Sequence, residues 1–486
     1  MVKESLSSKV TSSLLWKFFE RGSVQVMQLV VALIIARILG PDEYGSVALL
    51  TIFISIATVF VQSGLNTAII QKKDADDIDI SSVFYYSLVL AFILYGLLFF
   101  MAEPIANFYE MPRLKDMLRV LALMLFPGAL NSIQLAVLAK KMQFRTQFFS
   151  SFFSVILSGG LGITMAVLGS GAWALITQQL SYQIFVCVLL WFLLKWRPKL
   201  VFSFQKTKGL LKFGGKLLGA RLIDTLYNNL IGLITGKRYS EQMLAFYNKG
   251  KQFPALVVDN IDGALQSVML PVFSDQQKDI EKVKCTMRKT ISHSTYLVFP
   301  TMIGLLIIAK PMIQIILGDA WLGSVPILQI FCLIFMVTPI LTTSLQAINA
   351  CGNSGVYFLF MSIKRIVGVI SLIVALLVSK DILAMLWATL IVDILSAVVM
   401  VCINKHYFNY SLKELLNDIS SNFLITLLMS ILTVSIGEVF SDVWLKLIVQ
   451  CLSGVGIYIF ISVVCRNNAF LYILDKTKKI FKKGRI

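Results

Sequence analysis

The sequence has little charge, almost no histidine and few cysteines for its length. Only 14% of its 486 residues are charged, whereas soluble domains average about 25%, so the composition excludes a soluble fold of this size. The two histidines, His293 and His406, cannot build a metal centre by themselves, and we expect no metal and no cofactor. His293 is either an interfacial residue or a proton relay. The seven cysteines have no paired spacing, which favours small apolar residues over disulfides.

Long apolar segments follow one another from Leu14 to Cys465. Hydrophobic residues make up 57% of the chain, and the mean hydropathy is +0.80. About 20 apolar residues cross a bilayer core, so the pattern predicts an all-α polytopic membrane protein with about fourteen transmembrane helices. The N-terminus lacks a signal-peptide pattern, and we expect the first span to be retained. The predicted spans lie near 13–37, 43–65, 81–102, 114–138, 147–169, 171–194, 209–235, 243–272, 289–317, 324–348, 355–378, 382–404, 415–437 and 443–465.

The formal net charge of +18 is explained by membrane topology rather than by a nucleic-acid partner. Lysine and arginine are concentrated in alternate connections, and the connections between them are poor in both. The positive-inside rule therefore predicts a multi-pass protein with both termini in the cytoplasm and no nucleic-acid binding. The basic stretches are 140–145, 195–208, 278–289 and 476–485.

A weak internal repeat organises the chain. The segment 14–18 (LLWKF) recurs loosely at 210–213 (LLKF), 196 residues later (210 minus 14). The segment 127–134 resembles 339–346, 212 residues later (339 minus 127). Two related halves with an even number of spans share one orientation and enclose a substrate path. We therefore predict two pseudo-symmetric six-helix lobes followed by two extra helices. The predicted domains are 1–200 (spans 1–6), 201–405 (spans 7–12) and 406–486 (spans 13–14 and a basic cytoplasmic tail).

Charged residues inside the spans are costly and mark the regions where chemistry is expected. Lys364 and Arg365 lie roughly 15 Å, and Arg221 roughly 18 Å, inside their spans. Lys364 and Arg365 have no acid at helical spacing on their own helix, which favours a cavity that attracts an anion. Arg221, Asp224 and Asn228 share one helix face, as a polar stripe or as a self-neutralised pair that ties helices together.

Several acidic residues in the spans admit two interpretations. Asp259, Asp262 and Asp393 could couple transport to a proton or a cation, or serve as structural hydrogen-bonding groups. Arg21 could extend to the cytoplasmic boundary or lie at the mouth of a cavity. The candidate ion-coupling residues are Glu20, Asp224, Asp259, Asp262 and Asp393.

Four segments give the chain a family resemblance. They are 36–45 (ARILGPDEYG), 62–72 (QSGLNTAIIQK), 270–277 (LPVFSDQQ) and 317–328 (LGDAWLGSVPIL). The chain resembles Wzx-type polysaccharide flippases of the multidrug/oligosaccharidyl-lipid/polysaccharide (MOP) exporter superfamily, at least through the twelfth predicted span. The resemblance implies a two-lobed, V-shaped transporter of the bacterial inner membrane rather than an enzyme.

The resemblance also implies a substrate and partners. The cargo would be an undecaprenyl-diphosphate-linked oligosaccharide, moved from the cytoplasmic to the periplasmic face by alternating access for exopolysaccharide, capsule, O-antigen or teichuronic-type polymers. Membrane lipids and a polysaccharide polymerase machinery would be partners. A diphosphate cannot cross hydrocarbon unaided, so such a carrier needs a hydrated cationic cavity with a lateral opening. By position, the implied substrate-binding residues are Arg21, Arg221, Lys364 and Arg365.

Uncharged amides in the spans are candidates for sugar recognition. Their side chains can hydrogen-bond sugar hydroxyls, or they can join one helix to another. The candidate sugar contacts are Asn228, Asn229, Gln178 and Gln346.

Two other functions stay open at this point. A cation-coupled multidrug antiporter of the same superfamily would favour an acidic, aromatic-lined cavity, whereas this chain carries basic residues deep in its spans. A membrane-embedded polymerase or ligase would need catalytic residues gathered in a sizeable outer loop, and the predicted outer connections are short. The sequence also lacks a P-loop, which argues against ATP hydrolysis.

Overall fold

The structure is a computed structural model. It describes residues 6–62, 66, 69, 72, 76–472, 474 and 475, without the side chains of 6–15, 17–21, 206, 207, 210–213, 216 and 217. Over this part of the chain the regular structure is helical, with fourteen α-helices and two short 3-10 turns. The helices are α1 (Leu6–Gln62), α2 (Asp77–Tyr109), α3 (Leu114–Leu121), α4 (Leu125–Lys140), α5 (Phe144–Val167), α6 (Trp173–Leu193), α7 (Phe204–Arg238), α8 (Glu241–Gln276), α9 (Ile280–Ile316), α10 (Ser324–Ala350), α11 (Ser354–Val378), α12 (Ile382–Phe408), α13 (Leu412–Glu438) and α14 (Val443–Val464).

Helix α1 contains the first two predicted spans. Its 57 residues would extend about 85 Å if straight, far more than the roughly 30 Å of hydrocarbon, so one span cannot account for it. The helix is interrupted at Gly40, which has φ 76° and ψ 176°. Glycine adopts this left-handed region without a steric penalty, and Pro41 then opens the second helical segment, where a missing N–H is tolerated. The sequence Gly40-Pro41 thus encodes a one-residue connection between two spans.

The all-α polytopic fold class is confirmed. Twelve helical segments in the described part of the chain are long and apolar enough to cross a membrane, compared with about fourteen expected. The difference has two causes: α1 counts once although it contains two predicted spans, and α7 is too polar to qualify by composition. The predicted span 114–138 is assembled from α3, the 3-10 turn Ala122–Met124 and α4.

Polar residues fix where several helices begin. Asp76 caps α2 by accepting from the Asp79 N–H at 2.8 Å, while the Asp79 carboxylate accepts from the Asp76 N–H at 3.2 Å. Ser411 and Glu414 form the same reciprocal capping box at the start of α13. Such boxes satisfy backbone donors that the first turn of a helix leaves unpaired. The sequence patterns D-x-x-D and S-x-x-E therefore set the entry points of these two spans.

The chain divides into two compact units, Met1–Ala245 and Phe246–Ile486. In the first unit, α5 packs through small residues: a Cβ at Gly159 would lie 2.6 Å from Val31, and one at Gly162 would lie 2.6 Å from Gln178. In the second unit, buried polar pairs join helices, including Asn404 with Ser344 at 2.8 Å. Interhelical amide contacts of this kind are common where hydrocarbon offers no alternative partner. The lobe boundary at residues 200 and 201 stays a prediction, and α7 lies in the first compact unit.

Candidate functional site

Helix α7 presents an arginine at its midpoint. Arg221 is exposed and lies about 25 Å of helix from either end of α7. An arginine at this depth is very costly against lipid and is accommodated where it faces water or an anion. Asp224, one turn away, is half-buried, and Asn228 is exposed. The stripe predicted on this helix therefore exists and presents its cation outward.

The second asparagine of α7 is satisfied within its own helix. The Asn229 amide donates to the Thr225 carbonyl at 2.8 Å and reaches the Ser55 hydroxyl at 3.5 Å. These contacts favour a structural role for Asn229. Exposed Asn228 is better placed for a ligand.

Helix α8 carries a second polar face, which we call the α8 stripe: Lys251, Asp259, Asp262 and Gln266. At 100° per residue these four positions fall within one narrow sector of the helix. The Gln266 amide donates to Asp262 Oδ2 at 2.8 Å. The other oxygen, Oδ1, is buried without a hydrogen-bond partner among the described residues. Thr342 also hydrogen-bonds this carboxylate, so the buried oxygen is suited to a proton or a small cation rather than to a sugar.

Sequence reasoning identified the acids of the α8 stripe but missed Lys251. Its ammonium lies 6.0 Å from the centre of the Phe331 ring, at the outer limit of a cation–π contact. Lys251 precedes Asp262 by eleven residues, close to three helical turns, and this spacing was the signal available in the sequence.

Lys364 has an acidic partner on the neighbouring helix. Its Nζ lies 2.8 Å from Asp393 Oδ1, and the two side chains are 22% and 17% exposed. Lys364 has no acid on its own helix, as expected, but an acid from α12 pairs with it, and its role toward an anion stays a prediction. Lys364 also lines a cavity of about 190 Å³ between α11 and α12. Arg365 is half-buried beside it and interacts with other groups.

The remaining predicted positions divide into three cases. Gln178 packs against Gly162, so its surroundings favour a role in helix packing. Gln346 is half-buried in α10. Glu20 and Arg21 lie on α1, but their side chains fall outside the described residues. The structure thus brings together Lys364 with Asp393, and Asp262 with Gln266.

A large apolar groove lies in the second unit, bordered mainly by α9, α13 and α14. Its volume is about 430 Å³, within the roughly 300–1,000 Å³ typical of ligand pockets. Gly304 lines it, and a Cβ added there would meet no atom within 4 Å. At one end, the Tyr458 hydroxyl donates to the Tyr296 carbonyl at 2.8 Å. The apolar lining of the groove is suited to a hydrocarbon chain.

Two polar atoms interrupt the apolar wall of the groove. Gln450 is 4% exposed and Thr433 is 2% exposed. Gln450 Oε1 and Thr433 Oγ1 are buried without hydrogen-bond partners in the described part of the chain. Gln450 packs directly on Gly437, where a side chain would collide with it. Buried polar atoms are nearly always paired in native proteins, so these two are the candidate polar contacts of the groove.

No cluster of three potential metal-ligating side chains occurs among the described residues. The candidate polar features are the α7 face in the first unit and, in the second unit, the α8 stripe and the Lys364–Asp393 pair. The sequence profile of a family described as "Polysaccharide biosynthesis protein" matches residues 34–326. The chain belongs to this family.

Curated relatives of this polysaccharide biosynthesis protein match over most or all of their lengths. The teichuronic acid biosynthesis protein TuaB of Bacillus subtilis (strain 168) is 23% identical, with 99% of each chain covered. The succinoglycan biosynthesis transport protein ExoT of Rhizobium meliloti (strain 1021) is 23% identical over 74% of this chain and 72% of its own. The resemblance drawn from the four sequence segments is thereby confirmed.

The fold agrees with that of a solved transporter. The lipid II flippase MurJ in an inward closed conformation superposes with a TM-score of 0.71 at 18% identity, covering 94% of this chain and 99% of its own. At this identity the likeness concerns the fold. This chain therefore has a MurJ-like helical architecture.

Proposed function

We propose that this protein is a flippase that moves an oligosaccharide linked through a diphosphate to a polyprenyl chain, from the cytoplasmic to the outer face of the membrane. Alternating access would expose the site to each face in turn. The observation that carries the proposal is Arg221, an exposed cation at the midpoint of α7. Such a residue is suited to a water-filled path that carries an anionic substrate.

The groove supports the lipid-linked part of the proposal. A polyprenyl diphosphate has an apolar tail, a doubly charged linkage and a hydroxyl-rich head, and each needs different surroundings. The 430 Å³ groove of the second unit has the apolar lining that the tail needs, and Arg221 of the first unit supplies a cation for the diphosphate. Arginine can bind phosphate oxygens through two parallel hydrogen bonds. Arg21 and Arg365 are assigned to the same cationic path by position, and Asn228 to the sugar.

The acids of the α8 stripe supply a coupling element in this proposal. Asp262 has one oxygen without a partner in the described residues, so it can accept a proton or a monovalent cation during the cycle. Lys251, on the same face, would attract the substrate anion. Because Asp393 is paired with Lys364, we assign that pair a structural role and move the coupling role to Asp262.

The direction of movement rests on charge asymmetry. On the face that carries the Gly40 bend, three basic residues each have a carboxylate within about 3.2 Å, namely Arg113, Lys115 and Lys237. The opposite connections carry the larger excess of lysine and arginine. The positive-inside rule places that basic face, and both termini, in the cytoplasm. The released substrate would then be available to a polymerase machinery at the outer face.

The test is the sidedness of lipid-linked oligosaccharide in cells that depend on this protein. We expect Arg221→Ala to leave complete repeat units on the cytoplasmic face and to reduce surface polymer at least tenfold, about 1.4 kcal/mol in rate. Arg221→Lys should retain part of the activity because the charge stays. Lys380→Ala removes an exposed cation from the short connection 379–381 and serves as the matched control.

Membrane levels of each variant are measured in parallel. Normal polymer from a fully expressed Arg221→Ala chain would contradict the assigned role of Arg221. Normal appearance of repeat units on the outer face in cells lacking the protein would contradict the flippase proposal itself and favour drug export.

A further inference from the structure

A compact polar cluster lies at one end of the first unit, and the flippase proposal gives it no role. We call it the polar clamp: Glu43, Ser46, Arg113 and Glu241. Arg113 donates through Nη1 to Glu43 Oε1 at 3.2 Å and through Nη2 to Ser46 Oγ at 2.7 Å. Both the Arg113 guanidinium and the Ser46 hydroxyl also donate to the Glu241 carboxylate. One guanidinium thus joins three chain segments.

Backbone groups of two other segments also contact the polar clamp. Glu43 Oε2 accepts from the Ala172 N–H at 3.0 Å, which brings in the connection between α5 and α6. A Cβ at Gly45 would overlap the backbone carbonyl of Glu241, so only glycine allows this approach. The segment GPDEYG at 40–45 therefore acts as a docking surface for the first residue of α8.

A second set of polar contacts holds the C-terminal end of α7. The Lys237 ammonium bonds Glu110 at 2.8 Å and the Phe108 carbonyl at 2.6 Å. This hydrogen bond lowers the pKa of the Glu110 carboxyl, so the pair stays ionised at neutral pH. The Tyr109 hydroxyl donates to the Leu233 carbonyl at 3.4 Å. Thr235, two residues before Lys237 on α7, has no exposed surface.

The position of the clamp in the chain is informative. The sequence repeat assigns α7 and α8 to the second half, yet the first compact unit extends to Ala245. At its end α7 is held by Lys237 and Tyr109, whereas at its midpoint it presents Arg221 to solvent. The helices that the repeat places in the second half are therefore fastened to the first half at one end.

The clamp is built from contacts that can be released. Arg113 and Glu43 are partly exposed, so water can replace their mutual contact. Exposed ion pairs are individually weak and reversible, while several acting on one guanidinium add geometric specificity. A permanent join would be expected to use buried apolar packing instead. Charged, hydrated contacts at one end of a helix pair are suited to a latch.

We propose that the polar clamp is a conformational latch that holds the α7–α8 connection against the Gly40 bend of α1 and the starts of α3 and α6 and must open once in each transport cycle. The inference rests on the proposed transport function, but the state of the latch can be measured without transport. Opening would separate Glu241 from Arg113 and Ser46 and admit water to the region around Thr235.

The experiment measures thiol labelling of purified protein in lipid nanodiscs. The seven native cysteines are replaced, and Thr235→Cys supplies a buried reporter of similar size. We expect Arg113→Ala to increase the labelling rate by a water-soluble maleimide at least tenfold, and Arg113→Lys to increase it less. Lys380→Ala is the control and should not change the rate. Equal rates in the Arg113→Ala and parent chains would overturn the proposal.

Two further variants make the result independent of one substitution. If Arg113→Ala does not accumulate, Glu241→Gln should still increase labelling at least threefold, and no increase there would count against the latch.

Ser46→Cys with Glu241→Cys can be joined by a disulfide. The joined chain should lose transport and recover it on reduction. Transport that persists in the joined chain would also overturn the latch, whereas loss of flipping with normal latch opening would concern the flippase proposal alone.

Discussion

The polar clamp and the apolar groove use opposite kinds of packing. In the clamp, Arg113 is surrounded by three acceptors, and Gly45 has no room for a side chain. In the groove, Gly304 has open space, and Gln450 and Thr433 retain buried polar atoms without described partners. A region whose groups satisfy one another holds a conformation. A region with open space and unsatisfied atoms is suited to receive a ligand.

The largest expected effect is at Gly45. Gly45→Ala places a Cβ on the Glu241 carbonyl, and we expect a loss of about 3 kcal/mol, at the upper end of overpacking penalties. The measurement is the thermal midpoint of the detergent-solubilised protein. Gly96→Ala is the control, because a Cβ at that helical position meets no atom within 4 Å. Similar midpoints for the two variants would show that the clamp is not tightly packed.

Filling the groove should affect transport rather than folding. Gly304→Phe adds a bulky side chain at a lining position where the Cβ itself meets no atom within 4 Å, and we expect flipping to fall about tenfold, equivalent to about 1.4 kcal/mol. Gly160→Phe, on α5 and equally free of Cβ neighbours, is the matched control. Lipid-linked oligosaccharide on each face is quantified at equal protein levels. Undiminished flipping by Gly304→Phe would exclude the groove as the site of the tail.

The smallest effect concerns the unsatisfied atoms of the groove. Thr433→Val removes a buried hydroxyl without a described partner, so the empty protein should gain up to about 1 kcal/mol of stability. If the hydroxyl binds the substrate, flipping should fall several-fold in the same variant. Thr164→Val, which removes an exposed hydroxyl bonded to Gly160 within its own helix, controls for the change of side chain. A destabilised variant with normal flipping would indicate a structural partner instead.

The local features of the fold were predictable from the sequence. Apolar runs predicted the spans because the thickness of the hydrocarbon core fixes the number of residues in a span. The predicted gap between the first two spans contains Gly40-Pro41, and few sequences allow so abrupt a bend. Helix α7 was predicted as a span although its composition alone does not qualify it. Periodicity placed Arg221 and Asp224 on one face because only the helical repeat is needed for that inference.

Contacts between distant residues were not predictable. Lys364 and Asp393 belong to different helices, and no spacing rule relates residues 29 positions apart (393 minus 364). Arg113 joins residues 43 and 241, which no local pattern connects. The groove depends on how three helices diverge around Gly304, and sequence periodicity carries no information on that gap. The residues that share one face of a helix can be predicted from the sequence, whereas the faces that pack against each other depend on the tertiary structure.

In the first unit, the face that carries the Gly40 bend has very short connections. The longest of them is the five-residue connection 168–172, and the α7–α8 connection is Tyr239 and Ser240 alone. If this face points away from the cell, the surface available to an antibody, a phage or a protease is almost entirely helix ends. Such a protein would be poorly recognised from outside, and an epitope tag inserted at Gly40 would be expected to disturb the molecule that it reports.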